Sequence, residues 1–295
     1  MMTRVAFLTL DDRTDFVIDD AVAIEALARR GVRVDERAWR RRDVAWRDYD
    51  AVVIRTTWDY QRDLDAFLAA LDAIAATGVP VANALPLVRW NARKTYLRDL
   101  ASRGVATLPT RWGEGISSLE LNTLCDHFDT DECVIKPVVG ANADDTFRVP
   151  RDLDPPRANE IAARFAGRAW MAQPFIRSIV DEGERSLFFF DGALSHAVRK
   201  VPRAGDFRVQ EEHGGAITAF TPDDAHLAAA RRVIDALDET PLQARVDLVY
   251  DHHGALALME LEAIEPSLYF RTDRDAADNF ADALARWLQR QPPRH

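Results

Sequence analysis

Arg245-Val246-Asp247 and, further on, Glu260-Leu261-Glu262 are the residues whose types and spacing speak most directly of chemistry. Between them lies Asp251-His252-His253-Gly254, a turn signal, so the run reads as a β-hairpin with acids on both arms. Side chains alternate along a strand, which puts Arg245 and Asp247 on one face. Glu260 and Glu262 likewise share a face, with Met259 and Leu261 pointing to the other. Three carboxylates and a guanidinium can therefore converge on one patch of sheet. Such a cluster repels itself unless a cation sits in it, and all-oxygen donors suit a hard divalent ion such as Mg²⁺. The competing reading is a solvated acidic face. The apolar Leu258, Met259 and Leu261 speak against it, because they call for a buried side opposite.

The elements that must position this patch begin with alternating strands and helices. Residues 5–10 form an apolar, strand-like run, and Asp19 and Asp20 read as caps of a helix over 21–30, closed by Gly31. Strands follow at 32–34, 51–54 and 79–82, with a helix at 63–76 closed by Gly78. This order predicts a small parallel α/β lobe whose functional face lies at the C-terminal strand ends. Asp11, Asp12, Thr56, Thr57, Trp58, Asp59 and Asn83 fall there. A helix opens at Asn91-Ala92-Arg93-Lys94 and runs to about Arg103, ended by Gly104. Cys133-Val134-Ile135-Lys136-Pro137 reads as a strand leaving through proline, and a loop over 139–146 leads into 147–149. Pro155-Pro156 marks a turn before a short helix. Trp170-Met171-Ala172-Gln173-Pro174-Phe175-Ile176 reads as a strand and linker. A hairpin turns at Asp191-Gly192, helices are expected at 223–237 and 276–289, and the tail from Gln291 is expected to fray.

Composition narrows the function. The chain has 295 residues and a net charge of −10, which argues against a nucleic-acid partner. No apolar stretch reaches the length of a membrane span, and no cleavage signature opens the chain, so a cytoplasmic protein is expected. Cys125 and Cys133 form no CxxC pair and read as reduced thiols, and no His/Cys cluster has zinc spacing. Ser186 and Ser195 lack a GxSxG context, and neither a Walker A lysine motif nor a GxGxxG is present. His196 lies on a strand and reads as structural, whereas His252 and His253 lie on a solvated turn.

The order of these elements, from about Asn91 to Pro266, resembles the ATP-grasp ligases, with a small α/β lobe in front as is usual for them. The resemblance implies an α/β (α+β) fold with an N-terminal lobe over 1–90, a central lid subdomain over 91–175 and a C-terminal subdomain over 176–295, the last two clamping ATP. Lys94 and Lys136 match the lysines that hold the nucleotide phosphates. Gln173, Phe175 and Ile176, with Glu184 after Gly183, match the linker that binds adenine and ribose. Asp247, Glu260 and Glu262 match the metal ligands, for Mg²⁺ or alternatively Mn²⁺, although the last ligand is more often asparagine. Arg245, Lys200 and Arg208 are the candidate cations for the transferred phosphoryl group. The loop over 140–146 corresponds to the mobile phosphate cover. Its Asp144-Asp145 departs from the glycine- and serine-rich form, and a plain surface turn is an equal reading.

The resemblance implies an ADP-forming reaction in which a carboxylate becomes an acylphosphate and a nitrogen nucleophile then displaces phosphate. Met259-Glu260-Leu261-Glu262-Ala263-Ile264-Glu265-Pro266, Thr56-Thr57-Trp58-Asp59-Tyr60 and Phe207-Arg208-Val209-Gln210 look most like the branch that forms D-cycloserine by closing O-ureido-D-serine. The ribosomal-S6-modifying and glutathione-synthetase types are more distant. The expected partner is a small amino-acid-like substrate, with Trp58, Asp59, Asn83, Tyr269 and Arg271 as candidate contacts. Dimers are frequent among such ligases, so a homodimer is the assembly the resemblance allows. An intermolecular amino-acid or peptide ligase, a phosphotransferase and a non-catalytic nucleotide-binding module are the competing functions.

Overall fold

Val5, Ala6, Phe7 and Leu8 are all fully buried, because the first sheet is covered on both faces. The computed structural model describes residues 2–291, so the expected frayed tail lies outside the described residues from Pro292 onward. Strands β1 (Thr3–Thr9), β2 (Val32–Ala38), β3 (Ala51–Thr56) and β4 (Val81–Ala82) form a parallel sheet in the order β2-β1-β3-β4. Val5 and Phe7 face helix α1 (Asp20–Arg29), while Ala6 and Leu8 face Phe67, Leu71 and Ile74 of α2 (Leu64–Ala75). The first face is completed by a helix from the far end of the chain, which supplies Phe280 and Leu284.

Asp19 and Asp20 do not cap α1 through their side chains. Asp19 instead accepts from the backbone and guanidinium of Arg271, and Asp20 meets the buried Arg55 at 2.6 Å. Two stronger attractions outcompete the cap, each a charge-assisted bond to arginine.

Helix α3 (Leu85–Asn91) ends where the sequence had a helix opening, and α4 (Tyr96–Ser102) begins after a break. Lys94 lies in that break, its amide donating to the carbonyl of Val138 at 2.9 Å. A second sheet follows, built from β5 (Arg111–Glu114), β6 (Glu132–Pro137), β7 (Phe147–Pro150) and β8 (Ala169–Pro174), antiparallel in the order β5-β8-β6-β7. Short helices α5 (Ser118–Leu121) and α6 (Leu124–Phe128) and the longer α7 (Pro155–Arg164) back it. Pro155 and Pro156 are the first turn of α7 rather than a turn before it, and Asp154 caps the helix by accepting from the Arg157 amide.

After the single turn α8 (Ser178–Asp181), strands β9 (Glu184–Phe190), β10 (Ala193–Val201), β11 (Ala216–Ala219), β12 (Gln243–Tyr250) and β13 (Leu256–Glu262) form the third sheet. It is antiparallel in the order β11-β10-β9-β12-β13. Helix α9 (Asp224–Asp235) and α4 share a hydrophobic core with one of its faces, and α10 (Ala276–Gln289) runs back to the first sheet. Gly183 enters β9 with φ +89°, and a Cβ there would stand 2.7 Å from the carbonyl oxygen of Lys200, so only glycine fits this close approach. Among the described residues no helix is long and apolar enough to cross a membrane.

Candidate active site

The pairing of β12 with β13 sets Arg245 opposite Glu262 and Asp247 opposite Glu260. The register of the hairpin thus gathers the four side chains as the period of two requires. Beyond Asp247 the register slips, leaving Met259 as an extra residue. Met259 consequently lines the same cleft as the acids instead of pointing away from them. On the neighbouring strands Ser186 stands opposite Asp247, and Glu184 opposite Lys200.

Three interactions outside the sheet hold the end of β13. Asn91 donates to the Leu261 carbonyl at 2.9 Å and accepts from the Ala263 amide at 2.8 Å, while the Tyr96 hydroxyl accepts from the Leu261 amide at 3.0 Å. They satisfy backbone groups that no further strand covers, and fix Glu260 and Glu262 toward the cleft. Sequence reasoning missed both holders and also Ser186, whose hydroxyl donates to Asp247. Only the strand register signals Ser186.

The cleft, about 1200 Å³ including its mouth, runs between the second and third sheets under the loop of residues 140–146. Lys94, Lys136, Gln173, Phe175, Ile176, Glu184, Lys200, Arg208, Arg245, Asp247, Glu260 and Glu262 all line it. Lys94 pairs with Glu260, and Lys200 pairs with Glu184 and lies 3.4 Å from Asp247. Arg245 donates to both oxygens of Asp247, with Nε and Nη2 at 3.0 Å, and also meets Glu262. Arg208 reaches the cleft already held by Asp206 at 2.7 Å. Lys136 alone among these cations has no ion pair among the described residues.

These contacts divide the carboxylates. Burial works to raise the Asp247 carboxyl, but Arg245 and Lys200 hold it down at about 2. Burial also opposes ionisation of Glu260, which Lys94 and Lys136 keep below the usual range. For Glu262 burial wins over Arg245, and the charges of Glu260 and Asp247 add to it, so its carboxyl is pushed up to about 7. Burial pushes Glu184 up against the pull of Lys200. One oxygen from each of Asp247, Glu260 and Glu262 lies within 4.8 Å of the others, a donor set that could hold a metal ion.

The cover loop is stitched down on three sides. Asn142 donates to the Trp58 carbonyl at 3.3 Å, its own carbonyl lies 3.2 Å from His213, and Gln61 reaches Asp144 at 3.3 Å. Asp145 is turned away, bound by Arg164 and Arg168. At the other wall Gln173 donates to Thr110 at 3.1 Å, and Ile176 and Ile179 pack with Val209 and Met259 to make an apolar slot.

The remaining sequence candidates divide: Asp59, Asn83 and Arg271 are held by other residues, whereas Trp58, Tyr269 and His196 stand as expected. Asp59 is engaged by Trp39 at 2.6 Å and Arg40 at 3.1 Å. Asn83 is a buried clamp, donating to the carbonyls of Gln243 and Ala263 and accepting from Leu242. Arg271 is spent on Asp19 and Glu211. Trp58 and Tyr269 do line a recess adjoining the cleft. His196 is structural, stacked on Phe188 with its Nε2 2.8 Å from the Leu268 carbonyl.

A cleft clamped between two antiparallel sheets, with a free lysine facing a hairpin of carboxylates, is the arrangement of an ATP-grasp ligase. Residues 115–252 match the family described as prokaryotic glutathione synthetase, ATP-grasp domain, and residues 5–83 match D-cycloserine synthetase DcsG, N-terminal domain. The chain is 32% identical to the cycloserine biosynthesis protein DcsG of Streptomyces lavendulae, over 90% of this chain and 92% of that one. The glutathione synthetase of Ralstonia nicotianae is 23% identical over 85% of this chain and 77% of its own. The crystal structure of D-cycloserine synthetase DcsG aligns with a TM-score of 0.85 at 29% identity, covering 97% and 99% of the two chains. D-alanine–D-alanine ligase from Bacillus anthracis, complexed with ATP, shares the fold with a TM-score of 0.69 at 14% identity over 98% of each chain.

The chain belongs to the D-cycloserine synthetase family of ATP-grasp ligases. It is an ATP-dependent carbon–nitrogen ligase that uses a divalent metal.

Proposed function

We propose that this ligase closes O-ureido-D-serine to D-cycloserine, using Mg·ATP. The observation that carries the substrate is the match of residues 5–83 to the DcsG N-terminal domain. ATP-grasp cores serve many acceptors, whereas this lobe supplies Trp58 to the recess beside the acids. Lys136 and Lys94 grip the phosphates as compact charges with rotatable donors. The slot of Gln173, Phe175, Ile176 and Met259 takes the adenine. Glu184, engaged with Lys200 through one oxygen, keeps the other for the ribose hydroxyls. Asp247, Glu260 and Glu262 hold Mg²⁺, which when bound neutralises phosphate charge.

Arg245 and Lys200, rigid because each is tied to two carboxylates, stabilise charge that grows on the phosphoryl group as the substrate carboxylate attacks it. Arg208 adds a further donor from the loop. ADP leaves, the cover over 140–146 keeps water from the acylphosphate, and the oxygen-bound nitrogen displaces phosphate to close the ring. D-cycloserine carries no carbamoyl group, so that group must be hydrolysed away as carbon dioxide and ammonia.

Incubation with ATP, Mg²⁺ and O-ureido-D-serine alone is expected to release ADP and phosphate together with the ring product, followed by chromatography. Turnover only with a separate carboxylate and amine would replace ring closure by intermolecular ligation.

The metal assignment predicts a pH dependence. The folded pKa of Glu262, about 7, lies above its ordinary value of 4.5. Its contribution to the metal-free fold is therefore full below the ordinary value and lost as pH rises through the folded one. A divalent ion needs the carboxylate form, so the rise in Tm caused by Mg²⁺ should grow between about pH 6 and about pH 8. In Glu262→Asn that growth should vanish. A thermal-shift series showing equal pH dependence in both proteins would remove Glu262 from the metal site.

A further inference from the structure

Every acid of the hairpin cluster is answered by a cation of the chain, but one carboxylate three residues further on is not. Glu265 is 6% exposed and has no hydrogen bond or ion pair from its side chain among the described residues. It lines both the main cleft and the recess walled by Trp58 and Tyr269. Its backbone is fixed: the Trp58 indole donates to the Glu265 carbonyl at 2.8 Å, and Gln243 donates to the carbonyl of Ile264 at 3.1 Å. Burial, reinforced by the charge of Glu262, pushes the Glu265 carboxyl well above its ordinary range, so the resting group is held neutral and an arriving cation would favour its ionised form.

We propose that Glu265 seats the ammonium group of the substrate and so selects an α-amino acid over an amine-free carboxylate. The proposal rests on the reading of this cleft as a carboxylate-activating site. The metal is not the cation in question, because the donor set of Asp247, Glu260 and Glu262 does not include Glu265. The recess also suits a zwitterion. Arg245 and Lys200 line it and favour a carboxylate; of its four glutamates, Glu211 and Glu262 are paired with Arg271 and Arg245 and Glu212 is exposed, so Glu265, beside the aromatic rings of Trp58 and Tyr269, is the one placed for an ammonium. An α-amino acid carries these two charges one carbon apart. Glu265 is thus a specificity-determining residue that takes no part in bond making.

The test pairs a substrate change with a residue change. Wild type and Glu265→Gln are assayed with O-ureido-serine and with the same molecule lacking its amine, and Mg·AMPPNP binding is measured in both proteins. The variant should raise KM for the amino acid roughly 30-fold and leave the amine-free compound and nucleotide affinity unchanged. Wild type should prefer the amino acid by a similar factor, a comparison that stands even if the variant folds poorly. Equal losses on both compounds, weakened Mg·AMPPNP binding, or a wild type indifferent to the amine would each overturn the assignment. If O-ureido-serine gives no ADP, a panel of α-amino acids and their amine-free counterparts replaces it. Stimulation by another α-amino acid then rejects ring closure and keeps the ammonium seat, whereas stimulation only by amine-free acids, or by none of the panel, rejects the seat.

Discussion

Lys136→Ala is expected to cut ATP-dependent turnover by roughly 10²–10³-fold while leaving the melting temperature unchanged or slightly raised. The two halves of this expectation have one cause. Burial pushes the Lys136 ammonium below the ordinary lysine range, with Glu260 pulling the other way and Lys94 reinforcing the fall. No carboxylate pairs with it among the described residues. An unpaired, half-buried cation costs the resting fold something, and alanine removes that cost. What alanine also removes is an uncommitted positive charge in the cleft lined by Lys94 and the hairpin carboxylates. Steady-state ADP release and thermal unfolding of the same preparation check both halves. A variant with normal turnover would show that Lys136 does not face the nucleotide. A variant that loses turnover only because it melts early would show that the lysine was holding the fold.

Lys94→Ala makes the useful contrast. Lys94 already pairs with Glu260, so its removal also leaves a half-buried carboxylate without its partner. The two lysines are indistinguishable by type in the sequence, and only their partners separate a free charge from a structural one.

That distinction marks where the sequence stopped being legible. The acidic hairpin could be read because strand geometry is local: a period of two and an Asp-to-Gly turn fix which side chains meet. The parallel lobe could be read because its strands are continuous apolar runs between helices. The break around Lys94 could not, since the side chain of Asn91, the last residue of α3, binds the backbone of Leu261 and Ala263, partners far along the chain. For the same reason Asp59, Asn83 and Arg271 looked like substrate contacts: polar residues at strand ends serve ligands or distant backbone equally well. The slip beside Met259 and the isolation of Glu265 are likewise outcomes of pairing, not of composition.

Arg55→Ala carries the largest expected loss of stability, about 3–5 kcal/mol, read from urea unfolding. Arg55 is 1% exposed, and its guanidinium reaches Asp20 at 2.6 Å, the Gln243 side chain at 2.9 Å and the Pro266 carbonyl at 3.3 Å. One residue therefore ties the first sheet to α1, to β12 and to the segment that follows the hairpin acids. Alanine would leave the Asp20 carboxylate buried and uncompensated, which is why the loss should exceed that of an ordinary buried hydrogen bond. The double variant Asp20→Leu, Arg55→Met removes both charges and should recover much of the difference, because a buried pair contributes less than the penalty of breaking it. A single variant that loses under about 1 kcal/mol, or a double variant no better than the single, would contradict this account. The folded fraction of Arg55→Ala should also show where the tie matters for catalysis. Pro266 follows Glu265 directly, so slack there should raise KM for the carboxylate substrate and leave KM for ATP unchanged, since Lys94 and Lys136 lie on other elements.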